Sequence, residues 1–180
     1  MALVKLTKDG YGQIELNNVA FRRDGRIEAQ CKLDDTDFAT IPAENGMLLA
    51  VDEINKTIKF AVDDSLPIAL NYSAEHMYDE RKEGLKNFYL ERGTFLPRLG
   101  YPSVGDKFTT NCVGYDDGEW DTDKKFLAAF DAGTTLYGGA SEEGIIKVSA
   151  TKPTYGPVFI CKKSTMPDGQ FGIKFHTLTA

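Results

Sequence analysis

Near the C-terminus, Pro167-Asp168-Gly169 stands between an apolar run, Val158-Phe159-Ile160-Cys161, and the alternation Phe171, Ile173, Phe175. Proline presets φ for the first central turn position, aspartate bonds back to local amides, and glycine takes the left-handed conformation that follows. Flanked by strand formers, the triplet spells a β-hairpin, and the same grammar recurs along the chain. Asn18–Arg23 and Arg26–Leu33 flank Asp24-Gly25, a two-residue loop suited to a type I′ turn. Ile27, Ala29, Cys31 and Leu33 then share one face, with Glu28, Gln30 and Lys32 on the other, as in an antiparallel sheet wet on one side. Met47–Val51 and Thr57–Val62 make a second pair around Asp52-Glu53-Ile54-Asn55-Lys56, and a turn at Val104-Gly105-Asp106 feeds a strand over Lys107–Val113.

The pattern changes between Ser73 and Gly100. Ser73–Gly84 is highly charged, lacks β-branched residues and opens on an N-cap residue, which fits a short helix or an ordered loop. The aromatic and arginine-bearing stretches after it are interrupted by Pro97 and Pro102, which argue against central strands. Phe126-Leu127-Ala128-Ala129-Phe130 is short, and the glycines that punctuate after it favour a strand over a helix. Tyr137-Gly138-Gly139-Ala140 and Thr154-Tyr155-Gly156-Pro157 read as turns, and Ile145–Ala150 as a strand. About ten short strands with one excursion predict an all-β, mainly antiparallel barrel or sandwich. It is expected as a single domain over residues 1–180, with an irregular insertion at about 73–103.

At 180 residues the chain is long enough to bury a core without zinc or disulfide staples. Cys31, Cys112 and Cys161 are odd in number, lack paired spacing and read as reduced core thiols. No sustained apolar run marks a signal peptide or a membrane span, so a cytosolic origin is the simplest expectation. Charge is segregated: Gly114–Gly144 carries eight acids against two lysines, whereas Ile145 to the end carries five lysines against one aspartate. That distribution suggests a charge-complementary protein contact and argues against a nucleic-acid surface, which needs clustered Arg and Lys in excess.

Candidate sites are few. Asp117, Glu119, Asp121 and Asp123 alternate, so an extended segment would line four carboxylates on one side, a donor set that suits a hard cation. The spacing departs from the EF-hand loop, so a solvated acidic loop, with Trp120 packed down, is the competing expectation. His76 and His176 show no metal-site spacing, and no serine sits in a nucleophile elbow. No catalytic constellation and no cofactor are expected. The best candidate for a working surface is the excursion, where Tyr72, Met77, Tyr78, Phe88, Tyr89, Arg92, Phe95, Arg98 and Tyr101 combine the side-chain types that anchor protein interfaces. Plugging one end of a barrel would use the same aromatics.

Tyr78-Asp79-Glu80 with Gly84-Leu85 and Phe88, then Pro97-Arg98-Leu99 and Gly105–Asn111, and finally Tyr155–Phe159 and Thr165–Gln170, carry a family likeness. Over roughly its C-terminal two-thirds the chain resembles head-decoration or head-fibre-like virion structural proteins of tailed bacteriophages of Gram-positive hosts. The resemblance implies a non-enzymatic particle component, assembled in the bacterial cytoplasm, whose partner is the major capsid protein or another virion protein. It brings no residue-level binding map; on the charge and apolar pattern no nucleic acid and no membrane are expected as partners, and self-association is left open. The alternatives are a tail or baseplate component, or a small carbohydrate- or metal-binding β-barrel domain.

Overall fold

The computed structural model describes residues 3–15, 31–73, 84–96 and 98–180. Twelve strands, one α-helix and a short 3-10 helix at Leu85–Asn87 lie among the described residues. In chain order the strands are β1 (Leu3–Lys5), β2 (Lys32–Leu33), β3 (Leu48–Asp52), β4 (Thr57–Phe60), β5 (Ile68–Asn71) and β6 (Leu99–Gly100). Then come β7 (Lys107–Thr110), β8 (Val113–Asp116), helix α1 (Asp123–Asp131), β9 (Tyr137–Gly139), β10 (Ile146–Ser149), β11 (Val158–Thr165) and β12 (Phe171–Thr179). They form a seven-stranded sheet, β1-β8-β10-β9-β11-β12-β7, and a five-stranded sheet, β2-β4-β3-β5-β6.

The fold is broadly all-β, but both sheets are mixed where the hairpin grammar implies mainly antiparallel ones. β8 pairs parallel with β10, and β2 parallel with β4. In each case an intervening strand, with α1 as well in the first, supplies the long return path that a parallel pair requires.

The C-terminal hairpin is present in the expected register, from Thr165 opposite Phe171 back to Val158 opposite Thr179. Its turn closes through the Gly169 N–H donating to the Met166 carbonyl at 2.9 Å, with Gly169 at φ +86°. The β3–β4 hairpin also forms, with Asp52 opposite Thr57. The proposed Asn18–Arg23 and Arg26–Leu33 hairpin lies mostly outside the described residues, and of it only Cys31 and β2 are described.

Three expectations are corrected. Phe126–Phe130 is helical rather than extended. The Thr122 hydroxyl accepts from the Lys125 N–H, and at the other end the Thr134 and Gly133 amides donate to the Ala129 and Phe130 carbonyls, a Schellman closure. Tyr137–Gly139 is a strand rather than a turn: a Cβ on Gly138 would come within 2.5 Å of the Phe175 ring, so glycine lets two layers approach. The Lys107–Val113 run is two strands. The Cys112 amide donates to the Thr110 hydroxyl at 3.0 Å and the Val113 amide to the Asn111 carbonyl at 2.8 Å, so the ladder breaks there. The chain then crosses from one edge of the large sheet almost to the other.

Two apolar clusters flank the five-stranded sheet. One joins it to the large sheet through Leu48, Ala50, Ile68 and Leu70 against Phe108, Ile146, Phe159 and Phe175. The other lies on its far side, where Leu49, Val51, Ile58 and Ala69 meet Phe38, Ala43, Leu96 and Leu99. Helix α1 adds an aromatic chain to the first cluster: Tyr115 stacks on Phe126 at 4.8 Å, and Phe126 and Phe130 continue it to Phe171. The three cysteines are free and buried, and burial pushes the Cys112 and Cys161 thiols up, which keeps them protonated.

Candidate docking surfaces

The excursion does not stand away from the sheets. Among its described residues, Leu90 bridges Ala43, Phe95 bridges Lys32, and β6 pairs with β5, so the segment roofs the second core. Tyr72 packs on the first core and Tyr101 on the second, while the Tyr89 ring lies 4.5 Å from that of Tyr11. These three are structural, and Phe88 is half-buried beside them. Arg92, Phe95 and Arg98 are exposed, and Met77 and Tyr78 lie outside the described residues. The nine candidates therefore do not make one patch.

Phe95 lines a cavity. A groove of about 670 Å³ runs between the β3–β4 turn and the excursion, lined by residues that include Lys32, Asp34, Asp35, Lys56, Thr57 and Phe95. The Lys32 ammonium sits 5.1 Å from the centre of the Phe95 ring, a cation–π contact. Phe95 is nevertheless 55% exposed, and Ile54, at the tip of the same turn, is 93% exposed.

The turn between them is built in a particular way. The Asp52 carboxylate accepts from the Asn55 backbone N–H at 2.9 Å and from its side chain at 2.7 Å, and those bonds hold the carboxyl below its ordinary range. Lys56 then takes φ +56°, a left-handed conformation that favours glycine, and its carbonyl accepts from the Lys32 amide at 3.0 Å. Among the described residues no other non-glycine residue has positive φ. Sequence reading marked Asp52–Lys56 as a hairpin loop and missed it as part of a surface, although Ile54 at a loop tip and lysine where glycine is usual were both visible.

A second groove, of about 530 Å³, lies over the outer face of β8, β10 and β9. Its floor includes Asp116, Lys147 and Ser149, and its walls include Glu142, Glu143 and Tyr155. The Pro153 ring lies against Gly139. The Gly118 amide and then the Lys147 ammonium, 3.3 Å away, hold the Asp116 carboxyl below its ordinary range.

The acidic row does not form. A turn follows β8 and α1 begins at Asp123, so the segment is not extended and its carboxylates diverge. Glu119 accepts from the Ala150 amide, Asp121 pairs with Lys125, and Asp123 pairs with Lys8 while accepting from the Tyr115 hydroxyl. Asp117 is exposed. Trp120 packs edge-on against Tyr115 and Phe126, as expected. Among the described residues no group of three or more His, Cys, Asp or Glu is placed to hold a metal ion, and no helix is long and apolar enough to cross a membrane.

Compared with known protein families, curated proteins and solved structures, the chain gives no match.

Proposed function

We propose that the chain is a non-enzymatic structural component of a bacteriophage virion, a head-decoration or head-fibre-like protein that seats on the major capsid lattice. The observation that carries the docking part is the groove between the β3–β4 turn and Phe95. Phe95, in its lining, and Ile54, on the adjoining β3–β4 turn, are large apolar side chains that stand exposed, while Lys56, also in the lining, holds a left-handed conformation that costs about 1–2 kcal/mol. Exposed apolar anchors beside a backbone held off its preferred region are what a preformed contact surface requires. The likeness of the turn motifs to virion proteins supplies the particle. In architecture we read the two sheets as a sandwich, since each keeps two distinct edge strands and they share one apolar layer.

The test is co-sedimentation of purified protein with capsids assembled without it. Wild type is expected to pellet with the capsids, and Phe95→Ala with Ile54→Asp to weaken binding at least tenfold, about 1.4 kcal/mol. Binding to tail or baseplate particles alone would replace this reading with the tail-component one. A small carbohydrate-binding domain is the second reading. Its support is the groove over β8–β10–β9, where the hydroxyl and carboxylate side chains of Ser141, Glu142, Glu143, Ser149 and Asp116 converge. Glycan binding abolished by Asp116→Asn would favour it.

A further inference from the structure

The outward face at the β11–β12–β7 edge of the large sheet is cationic by construction. Register sets Lys162 directly opposite Lys174, and His176 directly opposite Lys107. Side chains so paired share a face with Cβ atoms about 5 Å apart, and like charges there destabilise the sheet. Of the other outward residues of these strands, Ser164 and Leu178 bring no carboxylate, and Thr109, opposite Lys174, is buried where the Glu15 amide donates to its carbonyl. Among the described residues none forms an ion pair with Lys107, Lys162 or Lys174. Ile160, 37% exposed, stands opposite His176 on one side and Tyr137 on the other, giving the patch an apolar ridge.

The acids sit towards the other edge. Strand β8, four places from β12 in the sheet, runs directly into Asp117, Glu119 and Asp121, all exposed. Four strand spacings are about 20 Å. The sheet thus carries opposite charge near its two sides, in a chain whose net charge is -6. That overall charge repels a long polyanion while leaving a local, carboxylate-sized contact favourable.

We propose that a second copy of this chain docks its Asp117–Asp121 loop on the lysine face formed by Lys107, Lys162 and Lys174, head to tail. The contact relieves the Lys162–Lys174 pair, which has no carboxylate partner among the described residues, and the Ile160 and Tyr137 ridge removes water beside it. Because the two surfaces differ, each docked copy presents a free acidic loop or a free lysine face, so association continues into rings or open chains. The inference stands on charge and register and does not depend on the particle reading.

Sedimentation velocity over a concentration series tests it. At about 0.01 M salt, where screening reaches about 30 Å, wild type is expected to self-associate, and at about 1 M salt to weaken at least tenfold. Lys162→Gln with Lys174→Gln, and separately Asp117→Asn with Asp121→Asn, are each expected to be monomeric at low salt with unchanged circular dichroism. Mixed, the two variants retain one intact lysine face and one intact acidic loop between them, and should form a dimer that grows no further. A monomeric wild type at low salt throughout the series overturns the proposal. So does self-association that survives either pair of substitutions, or a mixture that stays monomeric.

Discussion

Strands β3 and β12 are both hairpin partners, yet one is sealed and the other half wet. All five residues of β3 are buried, with Leu48 and Ala50 in the core shared by the sheets and Leu49 and Val51 in the core beneath the excursion. In β12, Ile173, Phe175 and Thr177 are buried while His176 between them is exposed. The sequences say as much: Leu-Leu-Ala-Val is an unbroken apolar run, as strands buried on both faces tend to be, and Phe-Gly-Ile-Lys-Phe-His alternates. The difference teaches that the described parts of residues 34–46 and 90–101 act as a packed cover, because Phe38, Ala43 and Leu96 lie on the far side of β3 together with Cys112 and Ile145.

Adjacent residues break or sharpen that comparison most strongly. Leu48→Ala and Leu49→Ala point to opposite faces of β3, and each is expected to cost about 2–5 kcal/mol in urea unfolding. On β12, Phe175→Ala should cost about 3–5 kcal/mol, while its neighbour His176→Ala stays within about 0.5 kcal/mol. A Leu49→Ala loss as small as that of His176→Ala would show that this cover lies over β3 without packing on it.

The next effect concerns what pins that cover. Glu44, just before β3, has a buried side chain that accepts from the Lys5 ammonium at 2.6 Å and the Gly12 amide at 2.5 Å. It thereby ties the first strand of the large sheet to the cover of the small one. Glu44→Ala leaves the Gly12 amide unpaired and is expected to cost about 2 kcal/mol. Hydrogen exchange should show the loss spreading to the amides of Ala43 and Leu90, which bond each other across the cover. A global loss without faster exchange there would assign Glu44 to the large sheet alone.

How much of this was legible depended on whether the signal was local. The Pro167–Gly169 turn, the β3–β4 hairpin and the Gly105 turn were readable because each is written in adjacent residues. Helix α1 was misread although Thr122 and Asp123 open it as an N-cap and first turn should; the apolar run Phe126–Phe130 has no period of its own. Gly138 looked like a turn because its reason, the Phe175 ring, is 37 residues away in the chain. Among the excursion's aromatics, nothing local separates Tyr72 and Tyr101, which pack inward, from Phe95, which does not. The acidic row failed for a related reason: alternation in sequence lines up side chains only in a strand, and a turn and a helix divide this segment.

A smaller effect separates the two hairpin turns. Both use a left-handed residue, Gly169 at φ +86° in one and Lys56 at φ +56° in the other. Lys56→Gly should raise stability by about 1 kcal/mol and Gly169→Ala lower it by about as much, since a Cβ on Gly169 meets nothing within 4 Å and only backbone strain is added. If the proposed groove is a docking surface, Lys56→Gly gains stability while weakening capsid binding; equal binding would make the strain incidental.

The smallest effect is in acid, where the same two turns are again alike in design. Asp52 accepts from the Asn55 backbone and side chain, and Asp168 from the Gln13 side chain and the Gln170 amide. For Asp52 the Asn55 amide bond is the main cause of a carboxyl held below the ordinary value of 3.8. For Asp168 burial pushes upward, but the bonds from Gln13 and Gln170 together outweigh it and the carboxyl is again held below 3.8. A carboxyl with a depressed folded value contributes stability that is present in full above its unfolded value and disappears as pH falls through the folded one. Both contributions should therefore hold at neutral pH and fade below pH 3.8, so urea midpoints measured down that range should drop. Asp52→Asn and Asp168→Asn should each flatten the drop, and the double substitution should flatten it by their sum, because the turns lie in different sheets and share no partner. A slope unchanged by either substitution would mean that the acid sensitivity comes from elsewhere, Asp123 with its Lys8 pair being the next group to change.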